Sequence, residues 1–571
     1  MDIALIYTDE DNEAFGPRSI SAVLKEAGYR TRLILMKSKE KIYSGPVLED
    51  VNQLAAEADV IGISCFSRAS EKAIQILEHL RPLGKVRVWG GIHATLNPEA
   101  CVDHADVVCR GEGEGFMLEL AEKLSTGGNW RDIANAAYRE NGRTVLNGLR
   151  PLIADLDELP LMDYSFDDEY RLKNGRLVRV LPSSGGSEPI SFNGTRGCDF
   201  DCTYCSNARL KELACSSGRY ARAVSVTKLI EHAENLKRRF PGAKCFDFFD
   251  EDFCARTPEQ IRQFSEAYTR RIGLPFGCMV SPLRMSEEKM DLLVKAGLWR
   301  INVGVESGSE RTKKEIYNRC MSNEAVLRAV RIINKYPHVV PYYFFIIGNP
   351  YEERDDLNTT VRFIGNLPPP FFLRTYNLVF IPGTLLYQTA VKDGTIGGIQ
   401  DSGFELDFVG GLNYRRHTWK KKNLYLNGLL YLMSGKITRR RLGLVPRPWL
   451  GALLRPGTVA FHERNTVFIR CLILLKLQAF RLRALAAIVL KRLFNDPTSI
   501  YDLKNHVVSL VKKSRPAIQT TRTGHPNSTK FQERDGGHFT TRNGNFSPHT
   551  EPNTPIPPCT PPINSGCSPV K

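Results

Sequence analysis

"GTRGCDFDCTYCSN" spans Gly194–Asn207 and carries three cysteines, Cys198, Cys202 and Cys205, separated by three and then two residues. A structural zinc site takes four ligands and a disulfide takes two. The nearest further cysteine, Cys215, lies at a spacing that zinc knuckles do not use. Thiolates suit soft metals and iron–sulfur clusters. Three of them on a four-iron cluster leave one iron open, and an open metal position marks a catalytic site rather than a structural one.

The surroundings of the triplet set the fold. "ISFNGTRG" before it reads as a strand, and "CFDFFDEDF", "FGCMVSP", "RINVGVES", "VVPYYFFIIGNP" and "TYNLVFIPGT" read as five more. Helical patterns such as "TPEQIRQFSEAYTRRI" lie between them, so residues 187–395 are expected to form a partial (β/α)6 barrel. The cysteines follow the first strand, where such a barrel places its chemistry. Upstream, residues 1–150 alternate strands ("DIALIYT", "TRLILM", "ADVIGISCF", "KVRVWGG", "ADVVCRGEG") with amphipathic helices, which predicts a Rossmann-like (flavodoxin-like) α/β domain. Ligands of such sheets sit at the carboxyl ends of the strands, here the glycine-rich "WGGIHAT" and "CRGEGEG". Ordinary tight βα turns would look the same. Residues 151–186 read as a linker, 396–514 as a basic helical region, and 515–571, rich in Thr, Pro, Asn, Gly and Ser, as a disordered tail.

The 571 residues suggest two to four domains, and 42% hydrophobic with 25% charged residues is a globular composition. The net charge of +16 favours acidic partners or is a solvated basic surface. The start, Met1-Asp-Ile-Ala-Leu-Ile-Tyr, enters a strand directly, and no charge-free stretch reaches the roughly 18 residues of a membrane span. A reducing, cytoplasmic setting is therefore expected, in which clustered cysteines are metal ligands rather than disulfides.

Cys198-x-x-x-Cys202-x-x-Cys205, with Tyr204 before the last cysteine, resembles the radical S-adenosylmethionine superfamily. The resemblance implies that the three thiolates hold a 4Fe-4S cluster whose open iron chelates S-adenosylmethionine. Reductive cleavage then gives a 5′-deoxyadenosyl radical that abstracts hydrogen from an unactivated carbon. "VGVESGSE" resembles the family's fourth-strand motif, so Glu306 would contact the ribose, or else cap the next helix. "FIIGNPYEE" resembles the segment after the fifth strand, with Gly348 and Pro350 shaping the adenine pocket, and "FIPGT" (Phe380–Thr384) resembles the segment closing the sixth. Asp250 or Asp252 would meet the ammonium of S-adenosylmethionine, or cap a helix. Ser281 and Arg284 are further candidates for ribose and carboxylate contacts. Arg219, Tyr220 and Arg222 resemble a basic segment that follows the cluster loop in one subgroup.

"VWGGIHATLNPE" and "ADVVCRGEGEGFMLELAEKL" resemble the cobalamin-binding domain of one large radical S-adenosylmethionine class, so the likeness covers roughly residues 1–390. By that resemblance Gly90, Gly91, His93, Thr95, Gly111, Glu112 and Gly113 would cradle the corrin and its nucleotide tail. Many cobalamin domains carry Asp-x-His-x-x-Gly after the first strand; this chain has "TDEDNEAFG" (Thr8–Gly16), with no histidine. Cobalamin would then bind without a histidine below the cobalt, or the sheet has lost its cofactor. His93 sits in a turn after a strand, which suggests a polar contact or surface placement.

The leading expectation is a cobalamin-dependent radical S-adenosylmethionine enzyme that methylates an unactivated carbon; oxidative cyclisation or rearrangement is the alternative on the same scaffold. A methylthiotransferase would need Cys65, Cys101 and Cys109 for a second cluster, and a non-catalytic iron–sulfur protein would close its cluster with four cysteines. Expected partners are a small-molecule substrate, open to a lipid or isoprenoid, and an external electron donor of flavodoxin or ferredoxin type, without nucleic acid. The basic, leucine-rich residues 471–494 would allow peripheral membrane contact, or pack on the barrel with a solvated basic edge.

Overall fold

The central strands of the amino-terminal half, DIALIY, RTRLIL and VIGIS, carry consecutive buried residues that point to both faces, which only a sheet covered on both sides can bury. The computed structural model describes residues 1–9, 14–180, 190–403 and 422–473, with Leu475, Lys476 and Gln478. Every contact below lies within one compact unit, Met1–Lys476.

In the first lobe β1 (Asp2–Tyr7), β2 (Arg30–Leu35), β3 (Val60–Ser64), β4 (Val86–Gly90) and β5 (Val107–Cys109) are parallel, in the order β5-β4-β3-β1-β2. That is the flavodoxin-like order, with its switch point between β1 and β3. Tyr7 stands level with Leu35 and Ser64, and Ser64 with Gly90, so the carboxyl ends of four strands form one rim. Helices α1 (Phe15–Glu26), α2 (Gly45–Ala56), α3 (Ser70–Leu80), α4 (Ile92–Leu96), α5 (Pro98–Cys101) and α6 (Glu114–Ser125) connect or follow the strands. Residues of α2 and α3 join one apolar cluster with Ile61, Ile63 and Trp89, while α1 and α6 join another with Leu5, Val60 and Val88. The sheet is thus sandwiched between two helical layers.

Hairpins extend both edges: β6 (Ala136–Glu140) and β7 (Arg143–Leu146) beside β5, with β6 antiparallel to it, and β8 (Glu169–Lys173) and β9 (Arg176–Arg179) beside β2, with β8 parallel to it. The β8–β9 hairpin corrects the reading of 151–186 as a linker. Its short, charged strands look like loop in sequence, but they close the free edge of β2. Glu169 anchors the hairpin: its carboxylate takes a forked pair of hydrogen bonds from Arg18 on α1 (2.9 and 3.1 Å), and both side chains are buried.

In the second lobe six parallel strands lie in chain order. These are β10 (Ile190–Phe192), β13 (Phe246–Phe248), β14 (Phe276–Val280), β15 (Leu298–Glu306), β16 (Val340–Ile347) and β17 (Phe371–Asn377), while β11 (Thr195–Arg196) and β12 (Arg222–Ala223) form a separate two-stranded ribbon. Helices α7 (Ser206–Leu213), α8 (Val226–Arg239), α9 (Pro258–Arg271), α10 (Glu287–Lys295), α11 (Asn323–Ile333), α12 (Arg354–Asn366) and α13 (Leu385–Lys392) alternate with them. From Arg300 along β15, and throughout β16, the residues alternate. Ile301, Val303, Val305, Tyr343, Phe345 and Ile347 are buried, whereas Asn302, Gly304, Glu306, Tyr342, Phe344 and Ile346 are half-buried on the other face. The sheet is open, as the partial barrel predicted.

Residues 396–514 are not wholly helical where the structure describes them. After the fully buried helix α14 (Leu424–Met433), β18 (Gly435–Ile437), β19 (Arg441–Leu442) and β20 (Val445–Pro446) extend the second sheet antiparallel from β17. The apolar length of "LYLNGLLYLM" signals the helix; the strands are too short to carry a periodicity. The segment 479–514 and the tail 515–571 lie outside the described residues.

Removing the Glu169 carboxylate would strand Arg18 in the core. Glu169→Ala is expected to lower the unfolding free energy by about 3 kcal/mol, measured as a lower urea midpoint.

Candidate active site

The cysteine loop begins three residues after β10 has taken its place in the sheet. Gly197 has φ +78°, and a Cβ there would fall 2.6 Å from the Tyr220 carbonyl oxygen, so only glycine lets the chain turn so close to β12. The loop is then held on all sides. Thr203 donates its amide to Tyr317 O (3.1 Å) and its hydroxyl to Ile316 O (2.6 Å), while Leu386 N donates to Thr203 O (2.9 Å). Arg284 pairs with Asp199, and both Arg284 and Arg319 lie over the Phe200 ring. Tyr204 is packed edge-on against Tyr317 and joins the apolar cluster of Leu378, Phe380 and Leu386, so it braces the loop from beneath.

Cys202 is buried, Cys198 and Cys205 half-buried, and none is in a disulfide. Cys205 stands at the amino end of α7. Arg319 Nη1 lies 3.6 Å from Cys202 Sγ and its Nη2 donates to Gly304 O (3.1 Å). Burial pushes the Cys198 thiol up to about 11 and the Cys205 thiol up to about 12, and the neighbouring Glu251 carboxylate adds to both. Among the described residues no three His, Cys, Asp or Glu side chains converge on a point as ligands of a single ion would. Thiolates around a larger multi-iron body need not do so.

The acidic stretch after β13 sorts itself by direction. Asp250 is fully buried; it accepts from Gly194 N (2.6 Å) and pairs with Arg256, so it is consumed inside the protein and the expectation that it meets a ligand ammonium is corrected. Asp252 accepts from Cys254 N and Ser281 N, its Oδ2 has no hydrogen-bond partner, and Arg284 Nη1 is 3.9 Å away. Burial raises its carboxyl to about 6. Between them Glu251 is exposed, close enough to Cys198, Cys205 and Tyr220 to influence all three. Ser281 is buried and caps the turn that carries Arg284.

Glu306 closes β15 with φ +70°, after a register shift between Gly304 and Glu306. A non-glycine residue in the left-handed region is costly and tends to mark a working site. Burial raises its carboxyl and the Arg319 guanidinium opposes that. Gly348, also at positive φ, accepts a fixed place through its amide, which donates to Asn427 Oδ1 (2.8 Å), and Lys422 donates to Pro350 O (3.1 Å). The two residues are therefore tied to the region around α14.

On the rim of the first lobe, Gly91 has φ +89°, and a Cβ there would lie 2.6 Å from Ser64 Oγ and 3.1 Å from Cys65 O. Thr95 Oγ1 donates to Gly91 O (2.8 Å) and accepts from Gly111 N (3.0 Å), which joins the turns after β4 and β5; Gly90 lies at the end of β4. The buried hydroxyl of Thr8, at the end of β1, has no partner. Three of the expected corrin contacts are placed otherwise. His93 is 3% exposed on α4, bonded through Nδ1 to Ser67 Oγ (3.0 Å) and driven down to about 4 by burial, so it is neutral and not at the surface. The Glu112 side chain turns to Arg196 and Arg222 instead of the rim. A Cβ on Gly113 would strike Ile20 (2.8 Å), so that glycine serves packing on α1. Cys65 and Cys101 lie in one apolar cluster and Cys109 in the other, so the three do not gather as a second cluster site.

With this geometry in view, the comparisons are specific. The B12 binding domain model matches residues 1–121 and the Radical SAM superfamily model residues 192–364. The chain belongs to the radical SAM superfamily, in its cobalamin-binding class. An uncharacterized methyltransferase of Pyrococcus horikoshii is 26% identical over 348 residues, 60% of this chain and 71% of that protein. The cytidylyl-2-hydroxyethylphosphonate methyltransferase of Streptomyces wedmorensis is 24% identical over 379 residues, 58% and 68% of the two chains. The fold is shared with the radical S-adenosylmethionine methyltransferase TsrM of Kitasatospora setae (TM-score 0.56, 16% identity, 69% of this chain and 77% of that one). It is shared as well with the cobalamin-dependent enzyme OxsB (TM-score 0.57, 14% identity, 90% and 75%). The family's cofactors are a 4Fe-4S cluster, S-adenosylmethionine and cobalamin. The residues fit them: three undisulfided cysteines in one braced loop, unpartnered buried atoms at Asp252 Oδ2 and Arg319 Nε, and an unpartnered buried hydroxyl on Thr8 at the rim of the first lobe.

Sequence reading missed Glu251 and Arg319. The first was one residue from the chosen aspartates, and strand parity would have separated it from them. Arg319 follows a turn with no motif, and nothing local marks it.

Two outcomes are expected. Cys202→Ala should fold but take up no iron–sulfur absorption on anaerobic reconstitution. Glu352, buried after β16 and bonded to Ser307 Oγ (3.2 Å), is raised to about 8 by burial, so the native state keeps a proton that the unfolded chain releases. Stability should therefore fall from about pH 5 to pH 8, by up to about 4 kcal/mol, and Glu352→Gln should flatten that slope in urea titrations across pH.

Proposed function

We propose that the protein transfers a methyl group to an unactivated carbon of a small molecule. The observation that carries this is one chain bearing a braced three-cysteine loop and a glycine-lined rim, each matched by its own family model, with methyltransferases among its relatives. When bound, the cluster, S-adenosylmethionine and cobalamin supply an electron, the hydrogen-abstracting group and the methyl carrier. The chain's own residues bind and orient. Cys198, Cys202 and Cys205 would hold the cluster. Glu251, Asp252 and Arg284 offer charges for the amino and carboxylate groups of S-adenosylmethionine, and Glu306 for the ribose. Gly348 and Pro350 would bound the adenine, while Gly90, Gly91, Thr95 and Gly111 would receive the corrin. The half-buried aromatic face of β16 limits water near the reacting carbon.

The partners belong to the same proposal. An external one-electron donor of flavodoxin or ferredoxin type would reduce the cluster. No helix among the described residues is long and apolar enough to cross a membrane. Trp449, Phe461, Val467, Phe468 and Leu475 are exposed among Arg455, Arg464 and Arg470, which supports peripheral contact with an anionic membrane and a lipid or isoprenoid substrate. Absence of flotation with anionic liposomes at low salt would remove that part alone.

The protein, reconstituted without oxygen in the presence of hydroxocobalamin and desalted, should keep corrin bands beside the iron–sulfur absorption. Given reductant and S-adenosylmethionine it should form 5′-deoxyadenosine, and Cys202→Ala should form none. Loss of every corrin band on desalting would refute the cobalamin-dependent reading.

A further inference from the structure

The junction between the lobes holds two arginines and two glutamates whose side chains are largely buried. Arg196 Nη1 donates to Glu112 Oε1 (2.9 Å), and its Nη2 donates to Glu114 Oε1 (2.5 Å) and to Ser19 Oγ (3.2 Å). Arg222, paired with Arg196 across the β11–β12 ribbon, donates to both Glu112 oxygens (2.9 and 3.2 Å) and to Ile153 O. Glu112 also accepts from Ile153 N (2.9 Å). The side chains of Arg196, Glu112, Arg222 and Glu114 are 24, 18, 7 and 5% exposed. The two positive and two negative charges balance, and the forked guanidinium geometry fixes orientation as well as distance.

What this quartet connects is specific. Arg196 lies two residues before Cys198. Glu112 follows Gly111, whose amide donates to Thr95 Oγ1, which in turn donates to the Gly91 carbonyl at the corrin rim. Hydrogen bonds and one ion pair thus lead from the rim to the cluster loop. The cost of taking each ion out of water makes such a knot a poor device for stability alone.

We propose that Arg196 is a positioning residue that couples the two cofactor sites: through Glu112 it holds the cluster loop in register with the turn after β5, so that filling one site favours filling the other. The inference rests on the cobalamin-dependent reading above. Coupling of this kind is reciprocal and is read as a change in affinity.

The test is a spectral titration of hydroxocobalamin into full-length protein, with and without a reconstituted cluster. In the wild type the cluster should tighten hydroxocobalamin binding about tenfold. Arg196→Met should abolish the tightening while the affinity of the cluster-free form stays unchanged. Arg196→Lys, which keeps charge but not the fork, should fall between. Glu112→Gln removes the same pairing from the other side with nearly the same shape, and carries the test if Arg196→Met does not fold. Arg262→Met, which removes an exposed pair with Glu288 (2.6 Å), should leave the tightening intact. Tightening that persists in both Arg196→Met and Glu112→Gln, or that is missing from a wild type that binds the corrin, overturns the inference. A wild type that binds no corrin overturns the cobalamin reading and this inference with it.

Discussion

Two lobes, each with its functional face at the carboxyl ends of parallel strands, must meet with those faces in a fixed relation. The ion quartet of Arg196, Arg222, Glu112 and Glu114 is where that relation is set. Apolar packing alone tolerates small slides and rotations, because it is non-directional. Forked hydrogen bonds from guanidinium to carboxylate do not. Their members come from ribbon strand β11, which enters the cysteine loop, from β12 beside it, and from the turn and first helical residue after β5. Removing one member would leave its partner charged and largely buried, so the arrangement is held by the penalty for breaking it. Gly383 reinforces the contact from another side: a Cβ there would lie 2.9 Å from Leu96 Cβ on α4.

The cysteine loop shows the same economy. It contains little that would order it by itself, and its shape is imposed by neighbours: Tyr317 and Ile316 through Thr203, Arg284 through Asp199, Arg319 through Phe200 and Cys202. The Arg319 guanidinium favours the ionised form of Cys198 that binds iron. Burial and the Glu251 carboxylate oppose it, holding Cys198 and Cys205 protonated without metal. The free energy of ordering the loop and of ionising its thiols is thus linked to metal uptake.

Left-handed backbone recurs beside the candidate site. Gly197 and Gly91 take backbone conformations that a side chain would block, and Glu306 takes one without being glycine. Gly197 follows β11, Gly91 follows β4 and Glu306 ends β15. Helices α8 and α9 open on unstrained caps, Ser225 and Thr257.

Features that depend on neighbours in the chain were legible in the sequence. The βα rhythm of both lobes follows from periodic burial, and the three cysteines follow from spacing; both are properties of short windows. Gly91 and Gly348 were readable because a glycine after a strand announces its backbone. Tertiary structure decided what depends on direction and on partners far along the chain. Asp250 and Glu251 are adjacent, yet one points into the core toward Arg256 and the other toward the cysteines, because side chains alternate at a strand's end. Glu112 resembled a ligand contact but found two arginines from the other lobe. His93 resembled a turn residue but is enclosed by Ser67 and Trp89. The β8–β9 hairpin became strand only because β2 offered an open edge. Arg319 acquires its place from a fold that brings it to a cysteine 117 residues earlier. Local pattern fixes what a segment is, but the charges it meets depend on which distant segment closes over it.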